Sequence, residues 1–375
     1  MAKNRGHNEG TIYQRPDGRW CAQVSLSGHR LTHYAKTQRE CREWLKTTLA
    51  QVSDGLTIES ARTTLGGYLE KWMEASRSRF RPRTTYLYDG VIRQHIVPYI
   101  GDIKLKDLRP DHIQSLYTAR MKDGVGVRTI HLMHAILHRA LDQAMRWGLI
   151  TRNPTDAVDK PSLKTGEMKV LEPGQVATLL EAARPGHQEA LYYLAVTTGL
   201  REGELLGLRW SDLDWETGRL QVQRQLQYVP GQGKVFSEPK SSAGRRSIML
   251  GATALEKLRE HREHQHMQRL FAGDRWQEND LMFTCFHGGP IDPCNLLQSF
   301  KRLLKRAGLP EIRFHDLRHT AATLMLKEGV HPKIVQERLG HSNISLTLNT
   351  YSHIIPGMQE DAAKKLDAMF AALRP

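Results

Sequence analysis

Apolar and polar positions follow two different periods along this chain, and the change of period marks out its parts. Thr11–Gln14 and Arg19–Ser25 are short runs of strand-forming residues joined by Arg15-Pro16-Asp17-Gly18, which predicts a hairpin closed by a Pro-Asp-Gly turn. A third strand is predicted over Arg30–Tyr34, after Ser27-Gly28. Thr37-Gln38-Arg39-Glu40 has capping-box spacing, and Trp44, Leu45 and Leu49 behind it form a helical stripe. Residues 1–10, rich in Gly, Asn and Lys, are expected to order only on meeting a partner.

From Thr64 to about Ala157 the apolar spacing is helical, with breaks predicted at Pro82, Gly90, Pro98–Gly101, Pro110 and Gly124–Gly126. Ile130, Met133, Ile136, Leu137, Ala140, Leu141 and Ala144 recur at three and four, so a helix is predicted over Arg128–Trp147, stopped by Gly148. Arg152-Asn153-Pro154 and the polar stretch Asp159–Glu167 are expected to form an exposed linker, and a second large domain to start near Val170. In it Glu172-Pro173-Gly174 opens a helix, followed by helices over Gln188–Val196 and Glu202–Trp210. Strands are predicted over Leu220–Gln227 and Arg245–Leu250 around a Gly/Lys/Ser-rich turn region. Further helices are predicted over Ala252–Leu270, Asn295–Ala307, His315–Glu328, Pro332–Leu339 and Met358–Leu373, the last with Leu366, Met369, Phe370 and Leu373 on a face that needs a docking partner in cis or in trans.

Charge narrows the partner. The 375 residues carry a formal net charge of +14, and residues 61–165, with eighteen Lys and Arg against ten Asp and Glu, hold more than half of that excess. Nucleic acid is therefore the expected partner. The four cysteines form no CxxC pair, which fits free thiols in a reducing compartment. No apolar run is long enough for a membrane span and the polar start is unlike a signal peptide, so no membrane partner and a cytoplasmic location are expected. His261, His264 and His266, and likewise Cys285, His287 and Cys294, lack regular ligand spacing, so no metal site is expected.

Breaking a DNA phosphodiester without a metal needs a nucleophile, cations on the non-bridging oxygens, and an acid for the leaving 5′-oxygen. Three segments offer these groups. In Thr198-Gly199-Leu200-Arg201-Glu202-Gly203-Glu204, Arg201 enters a helix with Glu204 one turn on. In His315-Asp316-Leu317-Arg318-His319-Thr320, the i, i+3 spacing puts His315 and Arg318 on one face. Leu339-Gly340-His341-Ser342 is followed, ten residues after His341, by Tyr351.

In this order and with these separations the segments resemble the two signature boxes of the tyrosine recombinase, or phage integrase, family. The resemblance implies that Arg201, His315, Arg318 and His341 form the catalytic pocket and that Tyr351 is the nucleophile. Glu238-Pro239-Lys240-Ser241-Ser242, followed by Arg245 and Arg246, resembles the hairpin that presents the family's lysine, so Lys240 is the candidate general acid and Lys234 the fallback. Glu204 is expected to orient one arginine, while His319 lies one turn past His315 and either joins the site or buttresses that ring. No cofactor is implied, since a phosphotyrosine conserves the bond energy and neither ATP nor Mg²⁺ is needed.

The resemblance also implies an α+β multidomain fold: a small three-stranded-sheet N-terminal module, an all-α core-binding domain, and a mainly-α catalytic domain with a small antiparallel sheet. The expected boundaries are 1–58 for an arm-type DNA-binding module, 59–160 for the helical, SAM-like core-binding domain, 161–168 for a linker and 169–375 for the catalytic domain. Arg77, Arg79, Arg81 and Arg83, beside Thr84, Thr85 and Tyr86, suit phosphate contacts that position a duplex, with a solvated face as the alternative. Implied partners are double-stranded DNA at core and arm-type sites, a homotetramer on that DNA, and accessory DNA-bending or excision factors. Two other functions share parts of the pattern: a type IB topoisomerase, with the same chemistry, and a DNA-binding regulator on a degenerate recombinase fold, which would not need all six polar positions filled.

Overall fold

The computed structural model describes residues 10–26, 29–53, 62–163, 168–239, 244–345, 348 and 358–371. The expectation for residues 1–10 therefore lies, apart from Gly10, outside the described residues. Two units divide the chain between Thr165 and Gly166.

In the first unit, β1 (Thr11–Gln14), β2 (Trp20–Leu26) and β3 (His29–Ala35) form an antiparallel sheet in that order. Gly18, at φ 81°, makes the first turn, and Asp17 Oδ1 accepts the Arg19 N–H at 3.1 Å. α1 (Gln38–Ser53) begins where Thr37 Oγ1 accepts the Glu40 N–H at 3.3 Å, as the capping-box spacing predicts. Val24 and Leu45 are the buried centre of a small core to which Ile12, Trp44 and Leu49 add.

The helical part runs through α2 (Leu65–Ser76), α3 (Pro82–Val91), α4 (Val97–Ile100), α5 (Pro110–Lys122) and α6 (Val127–Arg146). α6 buries the predicted stripe together with His134, and Gly148 follows it at φ 68°. Tyr68 Oη donates to the Ala140 carbonyl at 2.5 Å, pinning α2 against the middle of α6. Gly90 and Pro98 do not break the chain as predicted. α3 continues through a π-helical turn, Ile92–Ile96, into α4, and the Val97 N–H bonds the Ile92 carbonyl five residues back. Proline has no N–H and its ring crowds the carbonyl four residues earlier; a widened turn just before Pro98 accommodates both. Arg152-Asn153-Pro154 is not an exposed linker either. Asn153 is buried, with its Oδ1 accepting from the Thr155 N–H and its Nδ2 donating to the His138 carbonyl at 3.1 Å.

The second unit is mainly helical: α7 (Pro173–Ala183), α8 (Glu189–Thr198), α9 (Glu202–Leu206), α10 (Ala252–Ala272), α11 (Pro293–Arg306), α12 (Asp316–Lys327), α13 (Pro332–Leu339) and a C-terminal helix, Met358–Ala371. Its core is built from Leu179, Leu191, Leu194, Leu205, Phe300, Leu303 and Leu317 with their neighbours. β4 (Leu213–Asp214), β5 (Arg219–Val222) and β8 (Arg246–Met249) make the expected small antiparallel sheet in the order β4-β5-β8, while β6 (Gln225–Val229) and β7 (Gly233–Ser237) form a separate hairpin.

The predicted run Leu220–Gln227 is thus divided between two sheets. Gln225 and Leu226 are both buried, which interrupts the alternation, and Arg224 turns to Asp212, 2.5 Å away. α9 is shorter than the predicted Glu202–Trp210. A β-carbon on Gly203 would meet the Leu226 carbonyl at 2.6 Å, so the helix lies directly against β6, and it stops at Gly207. On the C-terminal helix Leu366, Met369 and Phe370 are exposed, and Leu373 lies outside the described residues. Among the described residues no helix is long and apolar enough to cross a membrane.

Candidate active site

Helix ends bring the polar groups together in the second unit. α8 closes on Gly199 at φ 64°, a left-handed position that favours glycine, and a β-carbon there would lie 2.4 Å from Leu339 Cδ2, which would have to shift. The Gly199 carbonyl accepts from Arg318 Nη1 at 2.7 Å. Arg318 is only 3% exposed, on the inward face of α12 beside Leu317 and Ala321.

Arg201 is the N-cap of α9. Its N–H donates to Glu204 Oε2 at 3.1 Å and its Nη1 to Glu204 Oε1 at 2.7 Å. Its Nη2 reaches the Gly340 carbonyl at 3.4 Å, which ties the start of α9 to the end of α13. Gly340 ends α13 in the left-handed region at φ 68°. The chain then turns so that the His341 N–H donates to the Gln336 carbonyl at 3.1 Å and Gln336 Nε2 donates to the His341 carbonyl at 2.6 Å. His315 is the N-cap of α12, and His319 meets its ring edge-to-face at a centroid distance of 5.1 Å.

The electrostatics show that these groups share one field. Burial, then His319 and Arg318, push His315 down to about 4 from an ordinary value of 6.5. Burial, then Arg318 and Arg201, push His341 down to about 4 as well. His319 is lowered chiefly by burial. Both His315 and His341 are therefore neutral at pH 7 in the free protein, each with one ring nitrogen to donate and one to accept. Burial pushes the Glu204 carboxyl up, but Arg246 and Arg201 together hold it below the usual carboxylate range. The result is a pocket with two fixed guanidinium groups, one buried and one 40% exposed, flanked by neutral imidazoles. It suits an oxyanion whose charge grows during reaction.

Of the residues singled out in the sequence, Arg201, Glu204, His315, Arg318 and His341 meet here, with His319 against His315. Lys240 and Tyr351 lie outside the described residues. Lys234, on β7, gives its ammonium group to the Pro290 carbonyl at 2.7 Å. In the first unit Arg77, Arg79 and Arg83 are exposed and Arg81, half-buried, is the N-cap of α3; Arg77 pairs with Glu74 at 3.5 Å. Among the described residues no cluster of His, Cys, Asp and Glu could hold a metal ion.

Sequence reasoning used Arg246 only as a marker of the hairpin, yet its guanidinium sits on Glu204 at 2.9 Å. The available signal was its strand position. Arg246 shares the inward face of β8 with Ile248, and an arginine in an inward register needs a buried counter-charge.

The depressed histidines set a pH window for stability. In the unfolded chain they take up protons near 6.5 while in the folded unit they resist until about 4, so stability is complete above about 6.5 and declines as pH falls toward 4. The midpoint of urea unfolding should be lower at pH 5 than at pH 7, and His315→Asn/His341→Asn should flatten that dependence. An equally steep dependence in the double variant would contradict the assignment.

A mainly helical domain that gathers arginines and histidines in this way suits the binding of a phosphate-like anion. The phage integrase family model matches residues 169–356, and the model of the SAM-like N-terminal domain of phage integrases matches residues 64–121. A tyrosine recombinase XerC-like protein of Caldanaerobacter subterraneus subsp. tengcongensis is 32% identical, with 91% of this chain and 92% of that protein covered. An integrase of Saccharopolyspora erythraea is 26% identical, with 96% of each chain covered. The chain belongs to the phage integrase family of tyrosine recombinases.

Its fold is that of solved integrases. The Tn1549 transposon integrase in complex with a circular intermediate DNA superposes with a TM-score of 0.71 at 23% identity, covering 81% of this chain and 99% of that one. A lambda integrase tetramer bound to a Holliday junction gives 0.58 at 21% identity, covering 92% and 96%.

Proposed function

We propose that this chain is a site-specific DNA recombinase that integrates or excises a mobile element. The observation that carries the reading is the convergence of Arg201, Arg318, His315 and His341 on one pocket in a member of this family. In the proposed reaction the Tyr351 phenolate oxygen bonds the scissile phosphorus, the P–O5′ bond breaks, and a 3′-phosphotyrosyl link remains. Arg201 and Arg318 hold the non-bridging oxygens through planar forks. His315, neutral at pH 7, accepts the tyrosine proton or bonds a phosphate oxygen, and His341 donates its ring N–H to the phosphate. Lys240 protonates the departing 5′-oxygen. The bond energy stays in the phosphotyrosine, so a second 5′-hydroxyl can reverse the step on another strand without metal or ATP.

The proposed division of labour follows the layout. Residues 1–58 bind arm-type DNA, 59–160 bind core DNA with Arg77, Arg79, Arg81 and Arg83 on phosphates, 161–168 link, and 169–375 cut and rejoin. The lambda integrase tetramer on a Holliday junction and the Tn1549 integrase on circular intermediate DNA support a tetramer that exchanges strands in pairs. Incubation with a nicked suicide duplex bearing the element's attachment site should trap the chain covalently; no adduct would favour a DNA-binding regulator. Relaxation of supercoils without exchange between two marked duplexes would instead identify a topoisomerase.

The acid role has its own test. Lys240→Ala should slow cleavage of an ordinary phosphodiester by about 10²–10⁴-fold, the usual contribution of general acid catalysis. A 5′-bridging phosphorothiolate, whose leaving group needs no proton, should restore most of that rate. Equal losses on the two substrates would remove Lys240 from the role.

A further inference from the structure

The Arg246 guanidinium reaches three segments of the second unit. Nε donates to the Arg338 carbonyl at 2.6 Å, Nη1 to the Gly244 carbonyl at 3.2 Å and Nη2 to Glu204 Oε2 at 2.9 Å. The side chains of Arg246 and Glu204 are 7% and 2% exposed. A cation this far from water is costly unless paired and hydrogen-bonded, and here it is both. α13 returns the clasp: Arg338 Nη1 donates to the Met249 carbonyl at the end of the strand that carries Arg246.

The charge pattern is more telling than the bond count. Glu204 divides its carboxylate, with Oε1 toward Arg201 and Oε2 toward Arg246. Two guanidinium groups against one carboxylate leave one net positive charge. Without Arg246, Arg201 and Glu204 would make a neutral pair, and the arginine would be held by its own carboxylate when a phosphate arrives. The Arg246–Arg338 bond also fixes the last turn of α13, from which Gly340 and His341 follow.

We propose that Arg246 is a positioning residue of the strand-cleavage reaction. By taking one oxygen of Glu204 it keeps the positive charge of Arg201 available to the scissile phosphate, and by bonding the Arg338 carbonyl it sets the helix end that carries His341. The inference rests on the function proposed above. It assigns Arg246 no contact with DNA; the residue acts through Glu204, Arg201 and the α13 backbone.

The test compares single-turnover cleavage of the suicide duplex by the full-length native chain, Arg246→Gln, Arg246→Lys and the double variant Glu204→Gln/Arg246→Gln. Arg246→Gln should cleave about 10²-fold more slowly, comparable to losing one oxyanion contact. The double variant restores the net charge of one and should cleave about tenfold faster than Arg246→Gln, although it removes a second native group. Arg246→Lys keeps the charge but not the fork and should fall between native and Arg246→Gln. A purely structural role predicts the opposite order, with the double variant the slowest. The proposal is overturned if the double variant is no faster than Arg246→Gln, if Arg246→Gln cleaves at the native rate, or if Arg246→Lys is no better than Arg246→Gln. Should Arg246→Gln lose its cooperative melt, the other two variants decide: both keep the net charge and should stay within about tenfold of native, and a fall of about 10² in either overturns it. Failure of the native chain to form an adduct would overturn the proposed function instead, so the two outcomes are separable.

Discussion

Tyr351→Phe is expected to abolish the covalent protein–DNA adduct, a loss on the order of 10⁴-fold or more, while DNA affinity changes by no more than about 0.5 kcal/mol. The substitution removes one phenolic oxygen and keeps the ring. Affinity for a duplex comes chiefly from many phosphate contacts, to which a single hydroxyl adds little. Covalent chemistry has no substitute for the missing atom: the pocket's cations stabilise a transition state that then lacks its nucleophile. Gel-shift titration and denaturing electrophoresis on the same samples separate the two effects. A persistent adduct in Tyr351→Phe would move the nucleophile elsewhere.

Arg318→Ala is expected to lower cleavage by about 10³-fold, equivalent to about 4 kcal/mol of transition-state stabilisation. It also has a structural cost that Tyr351→Phe lacks. Arg318 is buried and its Nη1 satisfies the Gly199 carbonyl at the α8 terminus, so truncation strips that carbonyl of a charged donor, costing roughly 1–3 kcal/mol. Arg318→Lys keeps the charge but loses the planar fork, and should recover part of the activity and part of the stability. Cleavage by Arg318→Ala within tenfold of native, measured on a folded sample, would contradict a direct role in charge stabilisation.

Much of this site was legible because its chemistry lies in short linear patterns. The His315-to-Arg318 spacing and the Leu339-Gly340-His341 turn are local, set by one helical face and one left-handed glycine. The α6 stripe was legible for the same reason, since its buried apolar residues recur at three and four along a long helix. What stayed hidden depends on neighbours distant in sequence. Arg246 finds Glu204 forty-two positions away, and no spacing rule couples a strand residue to a helix N3 position. Pro98 reads as a stop because local rules penalise proline, whereas a single π turn relieves the clash. The apparent linker at Asn153-Pro154 has the right residue types, but the side chain of Asn153 is spent on the Thr155 N–H and on the His138 carbonyl within α6.

The Arg201–Glu204–Arg246 arrangement also explains how so acidic a neighbour fits in the pocket proposed to hold the scissile phosphate. A lone buried carboxylate would repel the substrate; one shared between two guanidinium groups orients them and leaves a surplus of positive charge. The neutral histidines follow first from their burial, and that surplus adds to it, since Arg318 and Arg201 both disfavour an added proton on His341. An arriving phosphate would reverse part of that effect, because its negative charge favours the protonated imidazole.

The most direct measurement identifies the atom that carries the DNA. After trapping on a suicide duplex radiolabelled at the scissile phosphate, digestion with trypsin and nuclease should leave a nucleotide joined through its 3′-phosphate on the peptide Leu339–Lys364, in which Tyr351 is the only tyrosine. A nucleotide joined through a 5′-phosphate, or found on any other peptide, would contradict the account.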